Sequence, residues 1–152
     1  MQQQWWGFAA IYQYRTYGDT TALGWAKANW DKILQQQVTG TSGNGKSFSW
    51  GSSCAGKSNL GGVFWKSSAD DTYVNAITTN LFMALSAHLY DLTGEDKYFT
   101  AAKNAYAYVK NHLWRSDGLI VDGMNIKTCA ITDWVFTYNA GKVSYSFCAP
   151  QT

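Results

Sequence analysis

Tyr14-Arg15-Thr16-Tyr17-Gly18-Asp19 and Tyr90-Asp91-Leu92-Thr93-Gly94-Glu95 lie 76 residues apart, and each ends a helically spaced apolar run at a glycine followed by an acid. The same offset sets Leu23 on Phe99, Ala26-Lys27 on Ala102-Lys103 and Trp30 on Tyr106. A glycine just past a periodic run stops a helix, and a short connection then folds the next helix back beside it. Before the first glycine, residues 3–17 place Trp6, Ala9, Ala10, Gln13 and Tyr17 at helical steps beside Trp5, Phe8 and Tyr12, a helix with a wide aromatic face. After it, Thr20 or Thr21 can cap a helix running to about Gln37, with Leu23, Ala26, Trp30 and Ile33 or Leu34 as its buried line. The second copy predicts helices over 73–92 and 96–113. A repeated helical hairpin is the unit of solenoids and closed α/α toroids, where each unit buries a face against its neighbour. Two hairpins alone could also close a four-helix domain.

The chain reads as one unit: a hairpin over 3–37, a Gly/Ser-rich loop over 38–71, a hairpin over 73–114 and a C-terminal segment over 115–152. The loop holds Gly40, Gly43, Gly45, Gly51, Gly56 and the Gly61-Gly62 pair, with strand-like islands at 48–50 and 63–65 that suggest a small β excursion. An irregular stretch of this length in a compact domain points to function or to disorder. Beyond the second hairpin, Ser116-Asp117-Gly118-Leu119-Ile120-Val121-Asp122-Gly123 has the rhythm of a turn, a short β segment and a second turn. The run from Asp133 through Tyr138, Asn139 and Gly141 then leads into a polar tail, with no further helix expected.

Composition narrows the function classes. With 46% hydrophobic and 14% charged residues, the chain can bury a core, and eight Trp and ten Tyr are enough to fill that core and line a groove as well. A net charge of +2 without blocks of Lys or Arg gives no electrostatic case for nucleic acid or an anionic membrane. Apolar runs break well before the roughly 18 residues a bilayer span needs. Met1-Gln2-Gln3-Gln4 lacks the basic region and cleavage site of a signal peptide. Cys54, Cys129 and Cys148 are an odd count without metal spacing, which leaves free buried thiols and one disulfide with a spare both open. His88 and His112 sit in unrelated segments, so no metal site and no cofactor is implied, and His88, on an apolar helix flank, reads as an interfacial histidine.

An ordered series of segments resembles glycoside hydrolase family 76, the α-1,6-mannanase family. These are Gln4-Trp5-Trp6-Gly7, Gly61-Gly62-Val63-Phe64-Trp65, Tyr73-Val74-Asn75-Ala76-Ile77-Thr78-Thr79-Asn80-Leu81-Phe82, Tyr90-Asp91-Leu92-Thr93-Gly94, Asp117-Gly118-Leu119-Ile120-Val121-Asp122-Gly123 and Thr137-Tyr138-Asn139-Ala140-Gly141. The resemblance implies an all-α fold, a partial (α/α)6 toroid of helical hairpins with a small β excursion. It also implies endo-α-1,6-mannosidase chemistry on fungal cell-wall mannan, in an extracellular or cell-wall setting for a full-length parent. The family's adjacent aspartate pair would fall on Met1 and Gln2, neither of which can serve as nucleophile or acid/base. The expectation is therefore a truncated, inactive hydrolase; the alternatives are a non-catalytic mannan-binding or wall-associated protein and a four-helix structural domain.

Asp70-Asp71 does not match the family pair, and its ordinary role before the 73–92 helix is N-terminal capping. The substrate-binding candidates are Trp5, Trp6, Trp65, Asn75, Asp122, Tyr138 and Asn139, since aromatic faces stack on sugar C–H groups while amides and carboxylates bond hydroxyls. Successive helical residues point about 100° apart, so one of Trp5 and Trp6 is expected to face the sugar and the other to pack inward. Asp122 is expected either to order a turn or to bind a hydroxyl. Ala140 stands where the family commonly has glutamine, which removes an amide from substrate positioning. Apolar faces left uncovered by missing hairpins would favour self-association.

Overall fold

The computed structural model describes residues 2–141; Met1, Cys148 and the polar tail lie outside the described residues. Two antiparallel helical hairpins form the body, α1 (Gln2–Tyr17) with α2 (Thr20–Leu34), and α3 (Ala76–Thr93) with α4 (Asp96–Tyr108). The repeat is visible in three dimensions. Gly18 and Gly94 both adopt φ +69° and donate their N–H to Tyr14 O at 2.8 Å and Tyr90 O at 2.7 Å. The repeat-equivalent Arg15 and Asp91 form an ion pair, and Lys27 reaches Glu95 at 2.8 Å, so surface charges also join one hairpin to the next.

α2 is capped by Asp19 and not by Thr20 or Thr21. The Asp19 backbone is extended, and its carboxylate accepts from Thr21 N at 2.9 Å and Ala22 N at 3.3 Å while Thr20 is already helical. The helix stops at Leu34, short of the expected 37. α3 lies between the other elements and is buried on nearly every side. Trp30 fixes the hairpins together: its ring stacks on Phe82, meets Tyr98 edge-on at 4.6 Å, and its indole N–H donates to Ser86 Oγ at 2.7 Å. α4 widens at its end into a π-helical turn, Val109–Leu113, in place of the single helix expected to 113.

The β content exceeds the expected excursion. β1 (Ser53–Cys54) and β2 (Lys57–Ser58) form a small hairpin within the loop, while β3 (Tyr73–Asn75), β4 (Val121–Asn125) and β5 (Ile131–Val135) form an antiparallel sheet in that order. The 48–50 island is not a strand. Its aromatics instead pack into the core, where Trp50 meets Phe64 edge-on at 5.3 Å and donates to Gly40 O at 2.8 Å. Val63 and Phe64 make only isolated bridges, to Gln37 and Val74.

The helix expected over 73–92 opens instead as β3. Aromatic and β-branched residues favour a strand here, and Gly123 lets β4 come close: a Cβ at that position would lie 2.6 Å from Val74 O. The helix begins one strand later with Asn75 as its cap, Oδ1 accepting from Thr78 N at 3.2 Å. Asp70-Asp71 therefore does not cap it. Asp71 ties the preceding turn, accepting from Lys66 N at 2.8 Å and Tyr73 N at 3.4 Å. Lys46, whose side chain is buried, clamps the same turn by donating to Lys66 O at 2.7 Å and Ser68 O at 3.0 Å, and burial holds its ammonium pKa below the usual lysine value.

Of the two cysteine readings, the disulfide is found. Cys54 is bonded to Cys129, tying the loop hairpin to the turn between β4 and β5. The chain also becomes helical again at 137–141, where no further helix was expected. The described residues are thus mostly helical, two hairpins with a small sheet. No helix among them is long and apolar enough to cross a membrane.

Candidate functional site: an aromatic cleft over the three-stranded sheet

Period-two alternation puts Tyr73 and Asn75 of β3 on one face of the sheet, and Thr132 and Trp134 of β5 on that same face. β4 joins them through an irregularity. Its register shifts between Val121 and Gly123, so that Val121 and Met124, three positions apart, are both buried in the core. The extra residue is on β5, where Asp133 and Trp134 stand opposite the single Asp122, whose carboxylate turns toward Tyr73 and Asn75. The expected second turn at Asp122-Gly123 is therefore part of a strand, β4.

The result is a cleft of about 410 Å³, with Trp65, Trp134, Phe136 and Tyr138 as exposed aromatic walls and Tyr73, Asn75, Asp122 and Thr132 as the polar part. The volume suits a small ligand. Phe136 and Tyr138 stack at an interplanar angle of 7°, and Trp65 meets Tyr73 edge-on.

Hydrogen bonds orient the polar groups. Tyr73 donates its hydroxyl to Asp122 Oδ2 at 2.7 Å, and Asn75 Nδ2 donates to Asp122 O at 3.1 Å and Oδ1 at 3.4 Å. Asn75 Oδ1 meanwhile accepts from Thr78 Oγ1 at 3.0 Å, and Gln4 Nε2 reaches Thr78 O at 2.8 Å. A polar chain thus runs from the start of α1 through the start of α3 to the cleft floor. Burial, with a further contribution from the Asp122 carboxylate, pushes the Tyr73 hydroxyl up to about 12, so it remains a proton donor at neutral pH. The Tyr138 hydroxyl is raised too, by burial and then by the Asp122 charge. A carboxylate fixed by two donors keeps lone pairs for a ligand hydroxyl. Asp122 is the one carboxylate among the described residues lining the cleft, which supplies binding and orientation but not a nucleophile and acid pair.

Four of the seven sequence candidates, Trp65, Asn75, Asp122 and Tyr138, converge here. Asn139 does not. It is 0% exposed, with its carbonyl accepting from Asn80 Nδ2 at 3.0 Å. Trp5 and Trp6 also stand apart, and the expectation that one packs inward fails, since they are 46% and 70% exposed. The inward stripe of α1 is Gln4, Gly7, Phe8 and Ile11, which leaves positions 5 and 6 on the outer side. Trp6 instead walls a groove of about 330 Å³ with Trp25. Of the two positions where the resemblance would put an aspartate pair, Met1 lies outside the described residues and Gln2 opens α1. His88 is buried with Phe8 edge-on to its ring at 5.8 Å. Among the described residues no group of three or more His, Cys, Asp or Glu could hold a metal.

Sequence reasoning missed Tyr73, Thr132, Trp134 and Phe136. The alternation of Thr132, Trp134, Phe136 and Tyr138 was the available signal, hidden because a strand had been expected nowhere beyond Val121.

The sequence profile of glycosyl hydrolase family 76 matches residues 2–148. The chain belongs to this family. No curated protein sequence matches the chain. Among solved structures it resembles an α-1,6-mannanase of Salegentibacter sp., an inactive variant with two successive aspartates replaced by asparagine, in complex with α-1,6-mannotriose; identity is 21% and the TM-score 0.73, over 93% of this chain and 37% of that one. It also resembles a family 76 glycoside hydrolase from a bovine Bacteroides thetaiotaomicron strain, at 23% identity and TM-score 0.71 over 92% and 28% of the two chains. A family 76 mannosidase from Bacteroides thetaiotaomicron gives 20% identity and TM-score 0.74 over 95% and 36%. These likenesses establish a shared fold. The family 76 chain described here spans roughly a third of the length of these relatives, and their bacterial sources give no support to the fungal setting expected from the sequence.

Proposed function

We propose that this family 76 chain binds α-1,6-linked mannan in the cleft over β3, β4 and β5, as the sugar-recognition part of an α-1,6-mannanase fold. The observation that carries this reading is the convergence of Trp65, Trp134 and Tyr138 around the Tyr73–Asp122–Asn75 group. Aromatic faces take the C–H face of a pyranose, and the Asp122 carboxylate accepts a hydroxyl proton, held in place by Asn75. A relative of the same fold was solved with α-1,6-mannotriose, which makes that trisaccharide the natural probe. Hydrolysis by this chain alone is not expected: methionine and glutamine stand where the family resemblance would put the aspartate pair. The disulfide supports an oxidising, extracellular or cell-wall location.

The reading is tested by tryptophan fluorescence during titration with α-1,6-mannotriose. Asp122→Asn is expected to weaken binding about tenfold, the loss of a charge-assisted hydrogen bond, and Trp134→Ala to weaken it by a similar factor. Neither the parent chain nor the variants should release reducing sugar from α-1,6-mannan. Equal affinity in parent and Asp122→Asn would sink the assignment of the cleft.

A further inference from the structure

A larger cavity, of about 800 Å³, adjoins the cleft on the other side of Trp65. Its wall includes Gln4, Lys32, Gln36, Trp65, Lys66 and Thr78, and no Asp or Glu is among the described residues lining it. Two cations therefore face one space without an acid to neutralise them there. Asp71, which accepts from Lys66 N and Tyr73 N, lies 3.9 Å from Lys46 Nζ, so its charge is already offset. Lys66 Nζ sits 4.3 Å from the centre of the Trp65 ring, which places a cation above the aromatic surface shared by the two cavities.

We propose that this second cavity is a subsite for an anionic sugar unit, one carrying a phosphate or a carboxylate, continuous at Trp65 with the neutral-sugar cleft. The inference rests on the mannan-binding reading above and extends it from a neutral chain to a charged substituent. Lys32 and Lys66 supply the charge and Trp65 the stacking face. The lysines are exposed and part of no core contact, so their replacement leaves the fold in place.

The experiment is a set of parallel titrations of the full chain, read by tryptophan fluorescence, with mannose, mannose 6-phosphate, mannuronic acid and α-1,6-mannotriose. One or both anionic sugars are expected to bind about fivefold to tenfold tighter than mannose. That preference should vanish in a Lys32→Gln/Lys66→Gln variant and shrink in about 0.5 M salt, while mannotriose affinity stays within about twofold. The two anionic arms decide between phosphate and carboxylate. Equal binding of charged and neutral sugars overturns the subsite, as does a preference that persists in the double variant. In either case a mannotriose response that still depends on Asp122 leaves the cleft reading standing, whereas failure of every sugar to bind removes both.

Discussion

Gly61→Ala is expected to destabilise the fold by roughly 3 kcal/mol or more, combining a backbone penalty with a steric one. Gly61 sits at φ +97°, where any Cβ is disfavoured, and the added carbon would run into the carbonyl of Asn104 and lie 2.9 Å from Ala105 N. Both groups are backbone within α4 and cannot rotate aside. The close approach is held from the other direction as well: Gly61 N donates to Val38 O at 2.8 Å, and Gln37 Nε2 spans Gly61 O and Ala101 O. A control isolates the two costs. Gly43 has a similar φ of +101° with nothing within 4 Å of its added Cβ, so Gly43→Ala should cost only about 1 kcal/mol. Urea denaturation of the two variants measures the difference. Equal midpoints would show that the loop does not press on α4 as described.

Loss of the Cys54–Cys129 bond is the second large effect. The bridge closes a separation of 75 residues that includes all of α3 and α4, and the chain-entropy account assigns such a loop about 4 kcal/mol. A Cys54→Ser/Cys129→Ser variant should therefore unfold at much lower urea, and the parent in reductant should match it. The bond also anchors the turn between β4 and β5, so its loss should weaken mannotriose binding together with stability, through the strand that carries Trp134. Peptide mapping of the unreduced chain should recover Cys54 linked to Cys129. Recovery of both as free thiols, or an unchanged midpoint in reductant, would contradict the account.

Much of the helical framework is legible in the sequence because its signals are local. The paired Gly18 and Gly94 stops, the 76-residue offset and the Trp30 line all lie within single helices or adjacent turns, and the structure places them as their spacing implies. The site is less legible because long-range pairing makes it. Tyr73-Val74-Asn75 continues the apolar pattern of the helix behind it and looks helical in isolation; only pairing with Val121–Asn125, admitted by Gly123, turns it into a strand. The role of Asp122 depends on a register shift between β4 and β5 that no local pattern announces. The disulfide shows the same limit, since three cysteines allow several outcomes until the fold brings Cα atoms of two of them to 5.6 Å. Trp5 and Trp6 are kept out of this cleft by a local signal, the helical phase set by Gln4, Phe8 and Ile11, which leaves both on the outer side of α1.

The central claim, that the sheet-borne aromatic cleft recognises α-1,6-mannan, is most directly met by calorimetric titration of the chain with α-1,6-mannotriose beside maltotriose. Saturable one-site binding of mannotriose, lost in Trp134→Ala and absent for maltotriose, is the predicted result. Equal heats for both sugars, or mannotriose binding that survives Trp134→Ala unchanged, would contradict it.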